Sequence, residues 1–479
     1  MHRSIQSAFS LGFSSLAIVM VFGCSSNSSG SPAGEEDSGP SSDAASGSDA
    51  TTASEAGTDA SPHVSDAGHD ASEAVDASDA AVVDASDAAI ADASDAASGP
   101  YLLLSYYYDN LYTNTEYSAF NVAAGTVQGN FHYAQGGVNV STNTTPWVLE
   151  QNNQLVLRMD PNQPWKATSS WSVANVPNES SYGNNTDSFA VAEVGTKAYV
   201  LGYGSNYIAV LDTSTTYDAG APIKTIPLVA DADASAELEG IAVAYDATQG
   251  KIWVVLGNSN SPDYPPLCAP EYHPFVVAID TTSDDVVSGL KYTLQGYGTN
   301  NTTNAVVFDS VNDRLLIATE GCSDPVEASD GSVSAGAFDE AYIEQISLGA
   351  GVDAGADSEI LLTLSPSNYP TALVYVDETH AFVQTGNGPT YAWNPTQPAL
   401  GAPIPNAPDT FVWDGQGHLL GPQSTLLPDD AGVSFAVVAV NPVDGGLTTL
   451  ATNPFTPAPS NPFIPYQQAW ESVDIWPHP

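Results

Sequence analysis

The stretch Tyr199-Val-Leu-Gly-Tyr-Gly-Ser-Asn-Tyr-Ile-Ala-Val-Leu-Asp-Thr-Ser-Thr215 contains two short apolar runs separated by turn-forming residues. Apolar runs of about four to eight residues, bounded by Gly, Asn, Ser or Asp, are typical of buried β-strands. Comparable runs lie before and after this stretch, at 189–192 and 223–228. The segment 189–228 is therefore predicted to form one unit of four strands.

The same unit recurs from about residue 99 onward, and such recurrence indicates an all-β repeat architecture. Clear copies occupy 241–294 and 305–364, shorter ones 372–394 and 411–450, and a degenerate one begins at 147. The run 101–105 lacks a first strand, whereas 470–476 at the chain end is a first strand without successors. Together they complete a seventh unit. The prediction is an all-β, seven-bladed β-propeller over 99–479, closed by the C-terminal strand, which removes exposed sheet edges.

Each predicted third strand ends in Asn or Asp, residues that accept left-handed backbone angles and suit a tight turn. A structural role is therefore predicted for Asn121, Asp212, Asp280, Asn394 and Asn441.

The stretch 199–215 resembles the repeat of YVTN-type surface propellers, in which the phrase Y-V-x-N-x-x-S-N-x-V-x-V-I-D-T-x-T recurs. The segments 241–294 and 304–364 are similar to it to a lesser degree. The resemblance implies an extracytoplasmic binding or scaffold role. Structurally related propellers include lactonases and quinoprotein dehydrogenases, and a shared fold does not choose among these functions.

Residues 1–23 have the pattern of a bacterial secretion signal: a basic start at Arg3, then an apolar stretch that ends in Gly23 and is too short to span a bilayer. The sequence Val21-Phe22-Gly23-Cys24 resembles the lipobox of bacterial lipoproteins, which implies that Cys24 is lipidated and anchors the protein to a membrane. By the same resemblance, Ser25 favours delivery to the outer membrane. The alternative is an ordinary signal peptide that contains a cysteine.

Residues 24–98 are predicted to be a disordered tether. Between residues 25 and 98 there are 16 Asp and Glu, no Lys or Arg and no aromatic residue, so the segment cannot collapse on apolar contacts. Asp-Ala-Ser-Asp recurs at 76–79, 84–87 and 92–95 without the glycine turn and bidentate Glu of a calcium loop. Low-complexity expansion explains this recurrence.

The charge balance excludes nucleic-acid partners. Eight Lys and Arg against 56 Asp and Glu give a net charge of −48, which repels phosphate backbones.

Few residues point to chemistry. No G-x-S-x-G motif occurs, and His380 and His418 occupy predicted second-strand starts, where other copies have Lys or Arg, so we expect solvent-facing turn positions there. The two thiols of the domain, Cys268 and Cys322, follow the second strands of adjacent blades. We predict a disulfide between them, because an exported protein with two such thiols normally pairs them.

Glu239 precedes a predicted innermost strand, in Leu238-Glu239-Gly240-Ile241. This dipeptide looks like the Glu-Gly element by which gluconolactonase-type propellers hold a divalent ion at the channel mouth, although the usual proline is missing. Other blades carry Asp187, Asp409 and Glu471 at this position, whereas Thr302 and Pro370 fill it elsewhere. The four carboxylates form a candidate Ca²⁺ site, and a solvated acidic rim is the alternative.

The sequence thus predicts a lipid-anchored extracytoplasmic propeller that binds a protein, glycan or small molecule without chemistry. Its specificity would lie in loops such as 257–274 and 321–340. The alternative is a metal-dependent lactonase-type hydrolase that uses the Glu239 cluster, so whether the domain is an enzyme stays open.

Overall fold

The computed structural model describes residues 99–477, apart from internal segments. These segments are 108–114, 134–137, 143, 152, 177–187, 203–206, 219, 229–236, 260–267, 269–272, 299–305, 328–332, 339, 349–357, 366–367, 387, 427–432 and 456–469. The signal peptide, Cys24 and the tether lie outside the described residues, and what was inferred about them stays a prediction. No helix among the described residues is long and apolar enough to cross a membrane.

The described residues form seven four-stranded antiparallel sheets. The first strands of successive sheets contact one another in turn, and the last contacts the first, so the sheets close into a ring. This confirms the all-β, seven-bladed β-propeller, and each sheet is called a blade below.

Blades 1 to 4 occupy the N-terminal part of the domain together with the chain end. From the inner to the outer position, their strands are Trp470–Trp476 (β30), Tyr101–Tyr107 (β1), Thr115–Asn121 (β2) and Thr126–Tyr133 (β3) in blade 1; Val138–Thr142 (β4), Pro146–Glu150 (β5), Leu155–Asp160 (β6) and Gln163–Ser172 (β7) in blade 2; Ser188–Val194 (β8), Lys197–Gly202 (β9), Tyr207–Asp212 (β10) and Lys224–Pro227 (β11) in blade 3; and Glu237–Asp246 (β12), Lys251–Ser259 (β13), Phe275–Asp280 (β14) and Asp285–Thr293 (β15) in blade 4.

Blades 5 to 7 complete the ring. In the same order, their strands are Val306–Asp309 (β16), Arg314–Thr319 (β17), Ala341–Ser347 (β20) and Glu359–Leu364 (β21) in blade 5, with the hairpin Ser323–Glu327 (β18) and Val333–Phe338 (β19) inserted after β17; Pro370–Asp377 (β22), His380–Thr385 (β23), Thr390–Trp393 (β24) and Leu400–Pro403 (β25) in blade 6; and Val412–Trp413 (β26), Leu419–Leu426 (β27), Val433–Val440 (β28) and Leu447–Thr452 (β29) in blade 7.

The chain end closes the ring as predicted. β30 pairs antiparallel with β1, with Tyr101 opposite Trp476 and Leu103 opposite Asp474. Asp474 also accepts hydrogen bonds from the backbone N–H (2.9 Å) and the hydroxyl (2.7 Å) of Thr142 in blade 2. The last strand therefore ties blade 1 to its neighbour as well as completing it.

The core lies between adjacent blades, which explains why β10 is apolar at successive positions. Ile208 and Val210 pack towards blade 4, against residues such as Val254, whereas Ala209 and Leu211 pack towards blade 2. A strand that is buried on both faces has apolar residues at consecutive positions instead of alternating apolar and polar residues. Continuous apolar runs in this sequence therefore mark the middle strands of blades.

The hairpin β18–β19 lies within 321–340, which the sequence predicts as a loop. The sequence reasoning also gave no strand at β4, β7 or β25, where apolar residues are sparse. β25 reads Leu-Gly-Ala-Pro, and three of its four residues are exposed. Such an edge strand is defined by its pairing with the neighbouring strand, which composition does not reveal.

The residues that end third strands have the predicted structural role, but the predicted mechanism is wrong. Their side-chain oxygen accepts a hydrogen bond from a backbone N–H two or three residues ahead, at 2.8–3.0 Å, in an Asx turn. The left-handed backbone angle falls four residues later in three of these turns. It is adopted by Gly125 (φ 67°), Asp284 (φ 56°) and Gly445 (φ 69°).

Candidate functional site

The two faces of the ring differ in the length of their connections. First-to-second and third-to-fourth strands are joined mainly by short turns such as 195–196, 281–284 and 378–379, with longer connections at 213–223 and 348–358, and we call this side the turn face. The other connections include 173–187, 260–274, 294–305 and 453–469, and we call their side the loop face. Binding residues are found preferentially on loops held by a rigid scaffold, so the loop face is the candidate site.

The backbone places three of the predicted metal ligands, Glu239, Asp409 and Glu471, at or near the loop-face end of first strands. Glu239 is the third residue of β12 and Glu471 the second of β30, while Asp187 and Asp409 precede β8 and β26. The equivalence of all four positions stays a prediction, because Asp187 lies outside the described residues.

Only one of the four side chains lies within the described part of the structure. The Asp409 carboxylate accepts a hydrogen bond from the Ser424 backbone N–H at 2.7 Å. Asp187 and the side chains of Glu239 and Glu471 lie outside the described residues. Among the described side chains, no group of three His, Cys, Asp or Glu residues is arranged to hold a metal ion. The cation site stays a prediction.

The predicted disulfide between Cys268 and Cys322 is present, with a Cα–Cα distance of 5.1 Å. It joins the connection after β13 in blade 4 to the residues after β17 in blade 5. Cys322 is fully buried. The cross-link therefore fixes two of the longest loop-face connections to each other.

Two aromatic side chains stack on each other beside the segments that this cross-link joins, and the sequence reasoning missed them. His273 stacks on Tyr297, with ring centroids 4.0 Å apart. The backbone carbonyl of Tyr297 accepts a hydrogen bond from Gly321, next to Cys322, at 2.9 Å. The loop face between blades 4 and 5 thus presents ordered rings. Loop aromatics carry no periodicity by which a sequence could single them out.

A second aromatic residue lies on the loop face at blade 6. The Tyr369 ring approaches Gly386 so closely that a Cβ there would lie 2.5 Å from it, so only glycine fits. Burial, and then the negative charge of Glu320, raise the pKa of Tyr369. Glu320 is itself buried. Carboxylate and aromatic groups from blades 5 and 6 therefore lie near each other on this face.

Positive charge is concentrated at the other face. All seven Lys and Arg of the domain lie in the described strands, and six occupy the turn-face half: Arg158, Lys166, Lys197, Lys224, Lys251 and Arg314. The seventh, Lys291, lies near the loop-face end of β15, with its ammonium 4.1 Å from the centroid of the Phe275 ring. The loop face therefore offers almost no fixed positive charge to an anionic ligand.

Two buried carboxylates connect neighbouring blades. Glu193 in blade 3 accepts hydrogen bonds from Arg158 (2.6 Å) and Thr145 (2.6 Å) in and beside the strands of blade 2. Glu344 in blade 5 accepts the backbone N–H groups of Gln295 and Gly296, both at 2.7 Å, from the segment that follows blade 4. Their hydrogen-bonding capacity is used within the protein, so both groups are structural.

A third buried carboxyl lies in blade 1. Glu116 is fully buried opposite Tyr106 in the β1–β2 pair. Burial raises the pKa of Glu116 to about 7, against a smaller opposing effect of the Tyr106 hydroxyl. Burial and the nearby Glu116 charge likewise raise the pKa of Tyr106. This carboxyl faces the apolar core between blades 1 and 7, so it is a source of pH-dependent stability.

The two histidines at second-strand starts lie at the turn face, as predicted. His380 Nδ1 lies 2.9 Å from Asp377, and His418 Nδ1 lies 2.8 Å from Asp414, both within their own turns. The imidazoles are 68% and 43% exposed. They are solvent-facing turn residues.

No family model matches the sequence, and no curated protein matches it. Among solved structures, the chain is similar to the periplasmic gluconolactonase PpgL of Pseudomonas aeruginosa, with 12% identity, 79% of this chain and 99% of that one covered, and a TM-score of 0.44. A putative 6-phosphogluconolactonase from Bacteroides uniformis has 12% identity, coverages of 73% and 94%, and a TM-score of 0.40. BamB from Moraxella catarrhalis has 14% identity, coverages of 72% and 83%, and a TM-score of 0.35. The closed ring of seven four-stranded antiparallel sheets identifies the chain as a seven-bladed β-propeller.

Proposed function

We propose that the protein is a lipid-anchored, extracytoplasmic binding module whose propeller takes its ligand on the loop face. The observation that carries this proposal is the asymmetry of the ring. One face is built mainly by short Asx turns, whereas the longest connections lie on the other face, where a disulfide joins two of them. A rigid ring that carries its long connections on one side is a common construction of a recognition surface.

The disulfide supports the extracytoplasmic part of the proposal. Disulfides persist in oxidising compartments and are rare in the bacterial cytoplasm. Cys268 and Cys322 are therefore expected to pair during or after export, as the sequence of residues 1–24 also predicts.

The anchor is tested by Cys24→Ala in the full chain. Without a lipid on Cys24, we expect the protein to move from the membrane fraction to the soluble fraction after cell lysis. Two or more acyl chains are needed for stable membrane attachment. Unchanged fractionation, or palmitate labelling that persists in the variant, would refute the assignment.

The cation site is part of the proposal and is tested on the full chain carrying Cys24→Ala. An ion that binds only the folded state raises the melting temperature with the logarithm of its free concentration. We expect Ca²⁺ to raise the melting temperature and a chelator to lower it, and Glu239→Gln to abolish both effects. Glu340→Gln, which removes a loop-face carboxylate outside the four, is the matched control. A melting temperature that does not change with calcium would refute the cation site, and the carboxylates would then be a solvated acidic rim.

The alternative, a metal-dependent lactonase-type hydrolase, is favoured by one feature: carboxylate residues lie at or near the same end of three first strands, β12, β26 and β30. It requires calcium binding and also turnover. Hydrolysis of glucono-1,5-lactone, followed by acid release with and without Ca²⁺, separates the two functions. Binding of calcium without turnover would support the binding module and exclude hydrolysis of this lactone.

A further inference from the structure

The circumference of the ring is charged on one side and uncharged on the other. The outer strands of blades 2 to 5 each contain at least one charged residue: Lys166 in β7, Lys224 in β11, Asp285 in β15 and Glu359 in β21. The outer strands of blades 6, 7 and 1, which are β25, β29 and β3, contain no Asp, Glu, Lys or Arg. These three blades are consecutive around the ring, so their outer strands form one uncharged surface, which we call the neutral rim.

The neutral rim contrasts with the rest of this acidic chain. The sequence contains 56 Asp and Glu, yet residues 381–408 and 445–470, which supply β25 and β29, contain no charged side chain. Two copies with a net charge of −48 repel each other where their charged surfaces meet. Exposed charges are largely screened beyond about 8 Å at physiological ionic strength, so the repulsion is smallest where two neutral rims meet.

β29 is the exposed centre of the neutral rim. Four of its six residues are exposed, and among the described strands it pairs only with β28. Leu447 is 43% exposed, and Val443 in the preceding turn is 93% exposed. The one register shift of β29 lies at Leu450, which packs on the core between blades 7 and 1. The charge nearest in sequence, Asp444, accepts a hydrogen bond from the Gly446 N–H within its own turn.

Other outer strands have features that prevent an added strand. The backbone N–H groups of Ser170 and Ser172 in β7 donate to carbonyls of the connection 213–223, at 3.0 and 2.7 Å, so the protein's own chain covers this edge of blade 2. β11 and β25 each end in proline, and β15 and β21 carry charges. Natural proteins use such features to keep sheet edges from pairing with other chains. β29 has no proline and no charge, and no described segment covers it.

We propose that the neutral rim binds a second copy of this chain, with β29 of one copy against β29 of the other. In an antiparallel arrangement about a two-fold axis, Leu447 lies opposite Thr452 of the partner subunit, so each strand meets the same uncharged residues that it presents. Two edge strands and their turns make a small interface, and we expect a dissociation constant of about 10–100 µM. The rim lies between the two faces of the ring, so this contact leaves the loop face open.

The test is sedimentation equilibrium of the full chain carrying Cys24→Ala, from about 5 µM to about 500 µM. We expect monomer at the lowest concentration and dimer at the highest. Thr449→Lys places a charge in the middle of β29 and should weaken dimerisation by about tenfold or more, because a charged edge strand resists pairing. Thr363→Lys, the same change at an exposed threonine of β21 in blade 5, is the matched control and should leave dimerisation unchanged.

The two lysine variants also separate a specific contact from general repulsion. Each adds one positive charge to a chain with a net charge of −48, which lowers the repulsion between copies, so weaker dimerisation of Thr449→Lys cannot come from net charge. Raising NaCl from about 150 to about 500 mM screens the repulsion and should preserve or strengthen the dimer, whereas it would weaken a dimer held by ion pairs.

Three outcomes would overturn the proposal. The first is a chain that stays monomeric up to about 500 µM, which would leave the neutral rim to an extended segment of another protein. The second is a dimer that Thr449→Lys does not weaken, or that Thr363→Lys weakens equally. The third is a dimer that dissociates as salt is raised.

Discussion

At the scale of single residues, the most unusual group is the Glu116 carboxyl. An ionised carboxylate in an apolar environment is costly, so the folded protein favours the protonated form, and the pKa of Glu116 rises to about 7. In the unfolded chain the pKa returns to its ordinary value of 4.5. Below pH 4.5 the carboxyl is protonated in both the folded and the unfolded state, so its ionisation does not change the free energy of unfolding. As pH rises from about 4.5 to 7, the unfolded state gains stability by ionising, so this residue lowers the free energy of unfolding.

We predict that Glu116→Gln removes this pH dependence. At pH 8 the variant should be more stable than the wild type by about 1–3 kcal/mol, and at pH 4 the two should differ little. Urea unfolding of both proteins at the two pH values measures the difference. Tyr106→Phe is a useful companion, because losing the hydroxyl should move the transition of the wild-type carboxyl to higher pH. An equal difference between Glu116→Gln and wild type at both pH values would contradict the assignment.

At the scale of elements, blades are held to one another by a few specific contacts as well as by packing. Glu193 and Glu344 join blades 2 to 3 and 4 to 5 through buried hydrogen bonds from Thr145 and from the Gly296 backbone N–H. The disulfide joins blades 4 and 5 through their loop-face connections. Blades 4 and 5 are therefore held together at two places, by the hydrogen bonds of the Glu344 carboxylate and by the disulfide.

Removal of the disulfide is predicted to destabilise the propeller without changing its fold. It closes a chain separation of 54 residues, and loss of a cross-link of this size costs about 2–4 kcal/mol. The variant Cys268→Ala/Cys322→Ala, compared in denaturant with its parent, should show a lower midpoint and unchanged circular dichroism. Reduction of the parent protein should reproduce the shift. Parent and variant with coincident unfolding curves would show that the disulfide contributes nothing measurable.

At the scale of the whole molecule, closure of the ring depends on a strand from the far end of the chain. β30 is the first strand of blade 1, and without it β1 would expose an unpaired edge carrying Leu102, Leu103 and Leu104. Such an apolar edge is a template for association. Because β30 and β1 belong to the same blade, the ring closes only when the two ends of the domain pair with each other.

Deletion of 470–479 is therefore predicted to cause self-association and loss of cooperative unfolding. Size-exclusion chromatography and thermal unfolding of the truncated chain measure the two effects. A synthetic peptide that carries residues 466–479, added in excess, should restore a monomer with a cooperative transition, whereas a scrambled peptide should not. A truncated chain that stays monomeric and melts cooperatively would show that closure is dispensable.

The sequence by itself determined the repeat, the number of blades and the closing strand, because blade strands are short apolar runs whose order is fixed by the chain. β10, for example, is the second apolar run of the stretch 199–215, because burial on both faces leaves a continuous apolar run. The disulfide was also predictable, because adjacent blades place equivalent loops side by side. These inferences rest on local pattern and repetition.

Only the tertiary structure decided which polar groups are brought together across blades. Glu193 meets Arg158, and Glu344 meets the backbone N–H of Gly296, although no spacing in the sequence distinguishes these two carboxylates from other acidic positions. The Asx turns are a local example. The residue type predicted a turn, but not that the side-chain oxygen would accept a hydrogen bond from a backbone N–H two or three residues ahead. Side-chain encounters depend on how the blades rotate and pack around the ring, and a local pattern does not contain that geometry.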